Sequence, residues 1–340
     1  MLTYILRRVM ATVPMLLAIS LASFLLLHML PGDPTTILLG QRATAENKRE
    51  LRSRLGLDKP LPEQYLLYMS DVSRGEFGES HRTNQLVAKE LRQRVPATIE
   101  LAIAAMLIAT LVGVSLGVLA AVKPRSLVDF ACLSMALVGV SLPVFWLGFL
   151  AQKLFAGEMR LLPFSGRLDF GLWPTFSSDT GFYVLDALLV YRNVELLLNV
   201  LAHLTLPAIV LSTVPMALIA RITRASMLET LKQDYVRTAR AKGASPSTVV
   251  LKHALRNALI PILTAVATQF GYLLGGAVLT ETIFGWPGLG RYVIEAIDVL
   301  DARPLQASVL LIASAFVLVN LLTDLSYAFI DPRLRKKEAA

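Results

Sequence analysis

The chain has a single cysteine, Cys132, among its 340 residues. One thiol makes no internal disulfide, no redox pair and no thiolate zinc site, and inside an apolar run it packs as a small hydrophobe. The four histidines, His28, His81, His203 and His253, fall in separate regions without the paired spacing of a metal site. No Gly-x-x-x-x-Gly-Lys-Ser/Thr loop occurs, so nucleotide energy, if used, belongs to another chain. Charged residues make up only 17% of the sequence, and Glu100, Asp129 and Asp324 fall near the ends of apolar runs rather than at their centres. Secondary carriers keep ionisable side chains at mid-membrane to bind protons or sodium, so ion coupling is disfavoured.

What remains is apolar. Hydrophobic residues supply 55% of the chain and the mean hydropathy is +0.59, the composition of a protein that lives in a bilayer. At about 1.5 Å per residue, roughly 20 residues cross the hydrocarbon core. Six stretches are long enough, near 9–30, 98–122, 128–156, 196–220, 255–281 and 306–329. They predict an all-α polytopic membrane protein. Arg7 and Arg8 precede the first run without a small-x-small cleavage pattern after it, which predicts an uncleaved first span.

Lysine and arginine decide orientation. With the amino terminus inside, Arg7, Arg8, Lys123, Arg125, the basic cluster from Arg221 to Arg256, and Arg333, Arg335, Lys336 and Lys337 place sixteen of the 33 basic residues in short cytoplasmic segments. The first outside loop holds eleven more, but long loops cross largely regardless of charge. Both termini are therefore expected in the cytoplasm. The net charge of +8 reads as topology and partner contact, with no nucleic acid implied. The expected organisation is an amino-terminal tail and first span over 1–30, then an external lobe over 31–97 with polar helices near 44–56 and 61–73. A five-span core over 98–329 follows, with a cytoplasmic loop at 221–256, and a cytoplasmic tail over 330–340 ends the chain.

Gly113-Val114-Ser115-Leu116-Gly117 fits a Gly-x-Ser-x-Gly nucleophile pattern, yet it lies in mid-span with no strand before it. The same residues spell GxxxG, as do Gly271 and Gly275; small residues four apart let helices approach closely, within a bundle or at a subunit interface. Pro143, Pro207, Pro215 and Pro261 lie within spans and invite kinks. Thr264, Thr268, Tyr272 and Gly275, spaced by three and four, share one face of the fifth span and are the candidate lining of a passage. The run DYVRTARAKGAS at 234–245 is polar and basic between two apolar runs. Tyr235, Val236, Ala239 and Gly243 recur at helical spacing while Arg237, Arg240 and Lys242 point elsewhere, which predicts a short amphipathic helix stopped at Gly243.

Seven segments in order, ILRR at 5–8, HMLPGDP at 28–34, LGLDKPLPEQY at 55–65, VLAAVKP at 118–124, DYVRTARAKG at 234–243, HALRNALIP at 253–261 and TETIFGWPGLGR at 280–291, carry a resemblance. Over nearly its whole length the chain resembles the B-type permeases of dipeptide and oligopeptide ABC importers. The run at 234–245 resembles the EAA loop of ABC importer permeases. Arg237-Thr238-Ala239 stands where the broad pattern has Glu-Ala-Ala, a divergence peptide permeases share. The resemblance implies six transmembrane helices of the type I ABC importer permease class in the bacterial inner membrane, and a transport subunit rather than an enzyme. It implies that Tyr235, Arg237, Ala239, Arg240 and Gly243 contact an ATPase. The implied partners are a second, related permease, two ABC ATPase subunits that hold ATP and magnesium, and a periplasmic binding protein. That protein is expected to meet the lobe and Phe284, Trp286 and Pro287; this chain itself holds no cofactor. Short peptides are the implied cargo. The alternatives are another cargo on the same machinery, such as nickel, glutathione or haem, and a stand-alone channel or secondary carrier.

Overall fold

Apolar runs of this length satisfy their backbone polar groups in lipid only by coiling. The computed structural model describes residues 2–29, 44–54 and 58–330. Most of HMLPGDP, the residues Leu55 to Leu57 and the tail over 331–340 lie outside the described residues. Among those described, the chain is helical with one isolated bridge, between Glu79 and Leu86. The helices are α1 (Leu2–Met29), α2 (Ala45–Arg54), α3 (Leu61–Arg74), α4 (Val87–Val122), α5 (Leu127–Ser141), α6 (Val144–Ala151), α7 (Val194–Thr230), α8 (Asp234–Ala241), α9 (Arg256–Gly276), α10 (Val278–Ile283), α11 (Leu289–Asp298) and α12 (Ala302–Ile330). A wider π-helical coil extends α6 over Gln152–Glu158 and another leads into α9 over Val249–Leu255.

Five stretches, Ile5–Leu26, Val87–Val122, Val194–Thr230, Pro246–Gly275 and Ala302–Leu325, are each long and apolar enough to cross a membrane. The third expected span, near 128–156, is not one straight helix. Leu127–Ser141 and Val144–Glu158 meet at 97°, because Pro143 pushes the residue before it out of helical geometry. Leu142 accordingly sits at φ −94° and ψ 135°. Pro207, Pro215 and Pro261, by contrast, stay inside continuous helices.

The core is α4 against α7, and glycines set the approach. A Cβ on Gly113 would stand 2.7 Å from the Met216 carbonyl oxygen, and one on Gly117 would stand 2.5 Å from Thr223 Cβ. Gly271 and Gly275 likewise meet Phe316 and Ile312 of α12. Both GxxxG faces thus pack inside this chain. Around them Leu101, Ala105, Ala109, Leu204, Ala208 and Ile219 form the main buried cluster. Large apolar side chains such as Leu107, Leu111, Phe130, Met135 and Leu198 are exposed on the bundle's outside, as a lipid-facing surface requires.

Arg8 Nη1 lies 3.0 Å from Asp324 Oδ2, so the start of α1 and the end of α12 share one end of the bundle. The α4–α5 turn and α8 belong to that same end by alternation of the helices; it is called here the coupling end. The opposite, lobe end gathers α3, the start of α4, the 159–193 segment and α10–α11. Ser20 bonds Tyr65 at 2.7 Å and the Ser23 hydroxyl donates to the Gln306 carbonyl at 2.9 Å, which seats α3 and α12 on α1.

Candidate functional site

At the coupling end, α8 is a two-turn helix held by one anchor. Val236 is completely buried, Ala239 is half-buried, and Tyr235, Arg237, Arg240 and Gly243 face outward. Gly243 stops the helix in the left-handed region at φ 80°, where the Gly243 N–H donates to the Arg240 carbonyl at 3.0 Å and the Ala244 N–H to that of Ala239 at 3.1 Å. The Ser245 hydroxyl then accepts from the Thr248 N–H at 3.3 Å and opens the next helix with Pro246 in its first turn. Arg237 meets Asp234 at 3.6 Å, but both are almost wholly in solvent and such a pair adds little. Arg240 makes no ion pair among the described residues. The segment therefore presents Tyr235, Arg237 and Arg240 outward around one buried anchor, Val236.

At the same end lies a pair whose members read as separate charges in the sequence. Arg224 donates through Nε and Nη2 to the two Asp129 carboxylate oxygens, each at 2.6 Å, and the Arg125 N–H adds a third bond at 2.9 Å. This fork fastens α5 to the end of α7, ten residues before α8. Ser126-x-x-Asp129 is a capping pattern that could have marked Asp129 but was not used, and Ser126 accepts from the Asp129 N–H at 3.3 Å. Nothing in the sequence marks the partner, 95 residues away.

On α9, Thr264 and Thr268 donate back to the carbonyls of Ile260 and Thr264 at 2.8 and 2.9 Å. Tyr272 is exposed, its ring tilted 55° to that of Phe316 with centres 5.7 Å apart, and Gly275 abuts Ile312. Along α9, Thr264 and Thr268 are half-buried while Tyr272 and Gly275 are exposed.

The lobe end is knitted by buried polar groups. Phe284 and Trp286 are 1% and 0% exposed, so in this conformation both rings hold the cap together instead of offering a surface. Trp286 Nε1 donates to the Ala97 carbonyl at 2.9 Å. Pro287 is half-buried beside it. Glu281, fully buried, accepts from the Thr98 hydroxyl at 2.6 Å and from the Arg291 N–H at 3.0 Å, and the Leu289 N–H donates to Thr98 Oγ1 at 2.8 Å. Burial pushes the Glu281 carboxyl up to about 7, against the pull of these bonds. Gly288 and Gly290 make the arrangement possible: a Cβ on Gly288 would stand 2.2 Å from a Glu281 oxygen, and one on Gly290 2.7 Å from Val278 Cα. Arg167 pairs with Glu100, both buried, under the ring of Tyr183 at 3.7 Å from its centre. The Glu90 carboxylate and Tyr292 hydroxyl are bonded, and burial together with that bond raises the tyrosine's pKa. Among the described residues no group of three or more His, Cys, Asp or Glu is placed to hold a metal ion.

An exposed, rigidly capped helix between spans, in a chain without a nucleotide loop, is the feature that comparison with known proteins must explain. Residues 113–336 match the family described as binding-protein-dependent transport system inner membrane component, and residues 1–102 match that system's amino-terminal membrane component family. The chain belongs to this permease family. The permease is similar to the dipeptide transport system permease protein DppB of Alkalihalophilus pseudofirmus, 46% identical over 335 residues, which cover 98% of this chain and 100% of the relative. It is 46% identical over 336 residues to the di/tripeptide transport system permease protein DppB of Pseudomonas aeruginosa, covering 98% and 99% of the two chains. With the dipeptide transport system permease protein DppB of Escherichia coli K12 it shares 45% over 340 residues, 99% and 100% of the two. As a multi-pass inner membrane component it is a transport subunit.

Proposed function

We propose that this permease forms half of the membrane pore of an ATP-driven importer that takes up dipeptides or short oligopeptides. A second, related permease completes the pore, two ATPase subunits holding ATP and magnesium drive it, and a periplasmic binding protein delivers the cargo. The coupling end then faces the cytoplasm and the lobe end the periplasm, in accord with the distribution of basic residues. The observation that carries the reading is α8: a two-turn helix pinned by Val236, with Tyr235, Arg237 and Arg240 turned outward and Gly243 fixing its exit. A knob of this kind fits a groove on an ATPase, and the Asp129–Arg224 fork passes its movement to α5 and α7. Tyr272 leads the stripe proposed to line the passage, with Thr264, Thr268 and Gly275 on the same face. Cargo follows the relatives, whose names specify dipeptides and tripeptides.

The test is native mass spectrometry of the chain purified in mild detergent from its host, followed by reconstitution. A complex with a second permease and two ATPases, taking up labelled dipeptide only with ATP and binding protein, is the expected result. A lone chain or homo-oligomer that passes solute without ATPases overturns the reading.

A further inference from the structure

Three guanidinium groups converge on one carboxylate at the lobe end. Arg82 Nη2 and Arg94 Nη2 donate to Glu295 Oε2 at 2.9 and 3.2 Å, and Arg291 Nε donates to Oε1 at 2.9 Å. They come from three segments: the 80–84 turn, the first turns of α4, and α11. Burial alone pushes the Glu295 carboxyl up, but Arg94, Arg82 and Arg291 outweigh it and hold it below its ordinary range. The cluster therefore keeps a formal excess of two positive charges.

The excess is rigidly mounted and open. The Arg82 backbone N–H and the Ser80 hydroxyl both donate to Asp301 Oδ2, at 3.2 and 2.7 Å, which fixes the turn that carries Arg82. Arg94 lies over the Tyr292 ring, 4.7 Å from its centre. Yet the side chains of Arg82 and Arg291 are 39% and 38% exposed. Each uses one side-chain N–H group on Glu295, and the rest of each fork has no partner among the described residues. A carboxylate that served only to join segments needs one arginine; three, gathered against their mutual repulsion, are prearranged to accept further carboxylates by charge-assisted, forked hydrogen bonds.

We infer that the Arg82–Arg94–Arg291 cluster around Glu295 is a docking surface for an acidic patch on the binding protein that delivers cargo. The inference rests on the importer reading, and it names the chemistry of the contact. A protein occupant is favoured over a lipid headgroup because the family is defined by dependence on a binding protein. The neighbouring rings of Phe284 and Trp286 are buried, so in this conformation neither ring is offered to that partner. Complementary charge of this type acts on encounter rate and register and is screened by salt.

The experiment uses the whole transporter in zwitterionic lipid nanodiscs and the host's purified, fluorescently labelled dipeptide-binding protein, with Kd measured at low and high salt. Arg82→Glu is expected to weaken docking about tenfold at low salt and to flatten the salt dependence, as loss of a charge pair at an interface does. Arg82→Lys keeps the charge but loses the fork, so it should restore the salt dependence and only part of the affinity. Arg92→Glu makes the same charge change at an exposed arginine outside the cluster and should stay within about twofold of wild type. Equal Kd and equal salt dependence for Arg82→Glu and wild type overturn the inference. So does an effect of Arg82→Glu that appears only in anionic nanodiscs, which assigns the cluster to lipid headgroups. A wild-type complex that assembles with ATPases but binds no binding protein at any salt overturns the inference and leaves the ATPase-driven reading standing; a chain that assembles with no ATPase overturns both.

Discussion

Glu281 is the residue at which chemistry and architecture meet. Its carboxyl is buried, tied to α4 through Thr98 and to the start of α11 through the Arg291 N–H. Its folded pKa, about 7, lies above the ordinary 4.5, so the folded state binds this proton more tightly than the unfolded one. The stabilisation is fully present below about pH 4.5 and is lost as pH rises through about 7. Glu281→Gln keeps the shape and removes the titration. Thermal unfolding in detergent from pH 5 to 8 should therefore fall with pH more steeply in wild type than in the variant. Superimposable pH profiles would show that the carboxyl does not titrate in that window. The resemblance implied Phe284 and Trp286 as contact residues, and only the fold shows them turned inward, with glycines admitting the carboxylate beside them.

At the scale of the element, two glycines do opposite work. Gly117 sits where α4 touches α7, and any side chain there meets the Ala220 carbonyl and Thr223. Gly243 has nothing within 4 Å of a would-be Cβ but takes φ 80°. Gly117→Val is expected to cost roughly 1–3 kcal/mol in packing strain and to lower the melting temperature or the yield of the whole chain. Gly243→Val carries only local backbone strain of about 1–2 kcal/mol. It should leave the melting temperature near wild type while uncoupling ATP hydrolysis from peptide uptake. The pairing of these two variants separates fold from coupling; wild-type uptake by Gly243→Val would remove α8 from the coupling path. Both glycines were legible, since GxxxG and a helix-end Gly have mechanical meanings in any context. The break of the third span was half legible: Pro143 marked the place, but a kink of a few degrees and a turn of 97° look alike in sequence.

For the molecule as a whole, the fold separates two tasks to two ends. The coupling end offers a basic helix and, ten residues before it in the chain, the partly buried Asp129–Arg224 fork; the lobe end is a cap of interlocked carboxylates, arginines and aromatic rings. Such a division suits a subunit that is pushed on one side and receives cargo on the other. Arg240→Glu reverses charge on the outward face of α8 and is expected to reduce the amount of ATPase that copurifies with the permease, without affecting helix content by circular dichroism. ATPase recovered in full would restrict Arg240 to setting topology.

The sequence by itself determined that the chain is a helical bundle in a membrane, how many apolar runs it has and where the short basic helix lies. These are statements about residues within a few turns of one another, and spacing, hydropathy and proline or glycine conformations express them directly. Tertiary structure alone decided which charges are partners and which aromatic rings are inside. The Asp129–Arg224, Thr98–Glu281 and Trp286–Ala97 bonds join residues 95, 183 and 189 positions apart. An isolated carboxylate or indole reads the same whether it will be solvated or buried; burial and pairing are properties of the packed bundle, fixed only when distant segments close on one another.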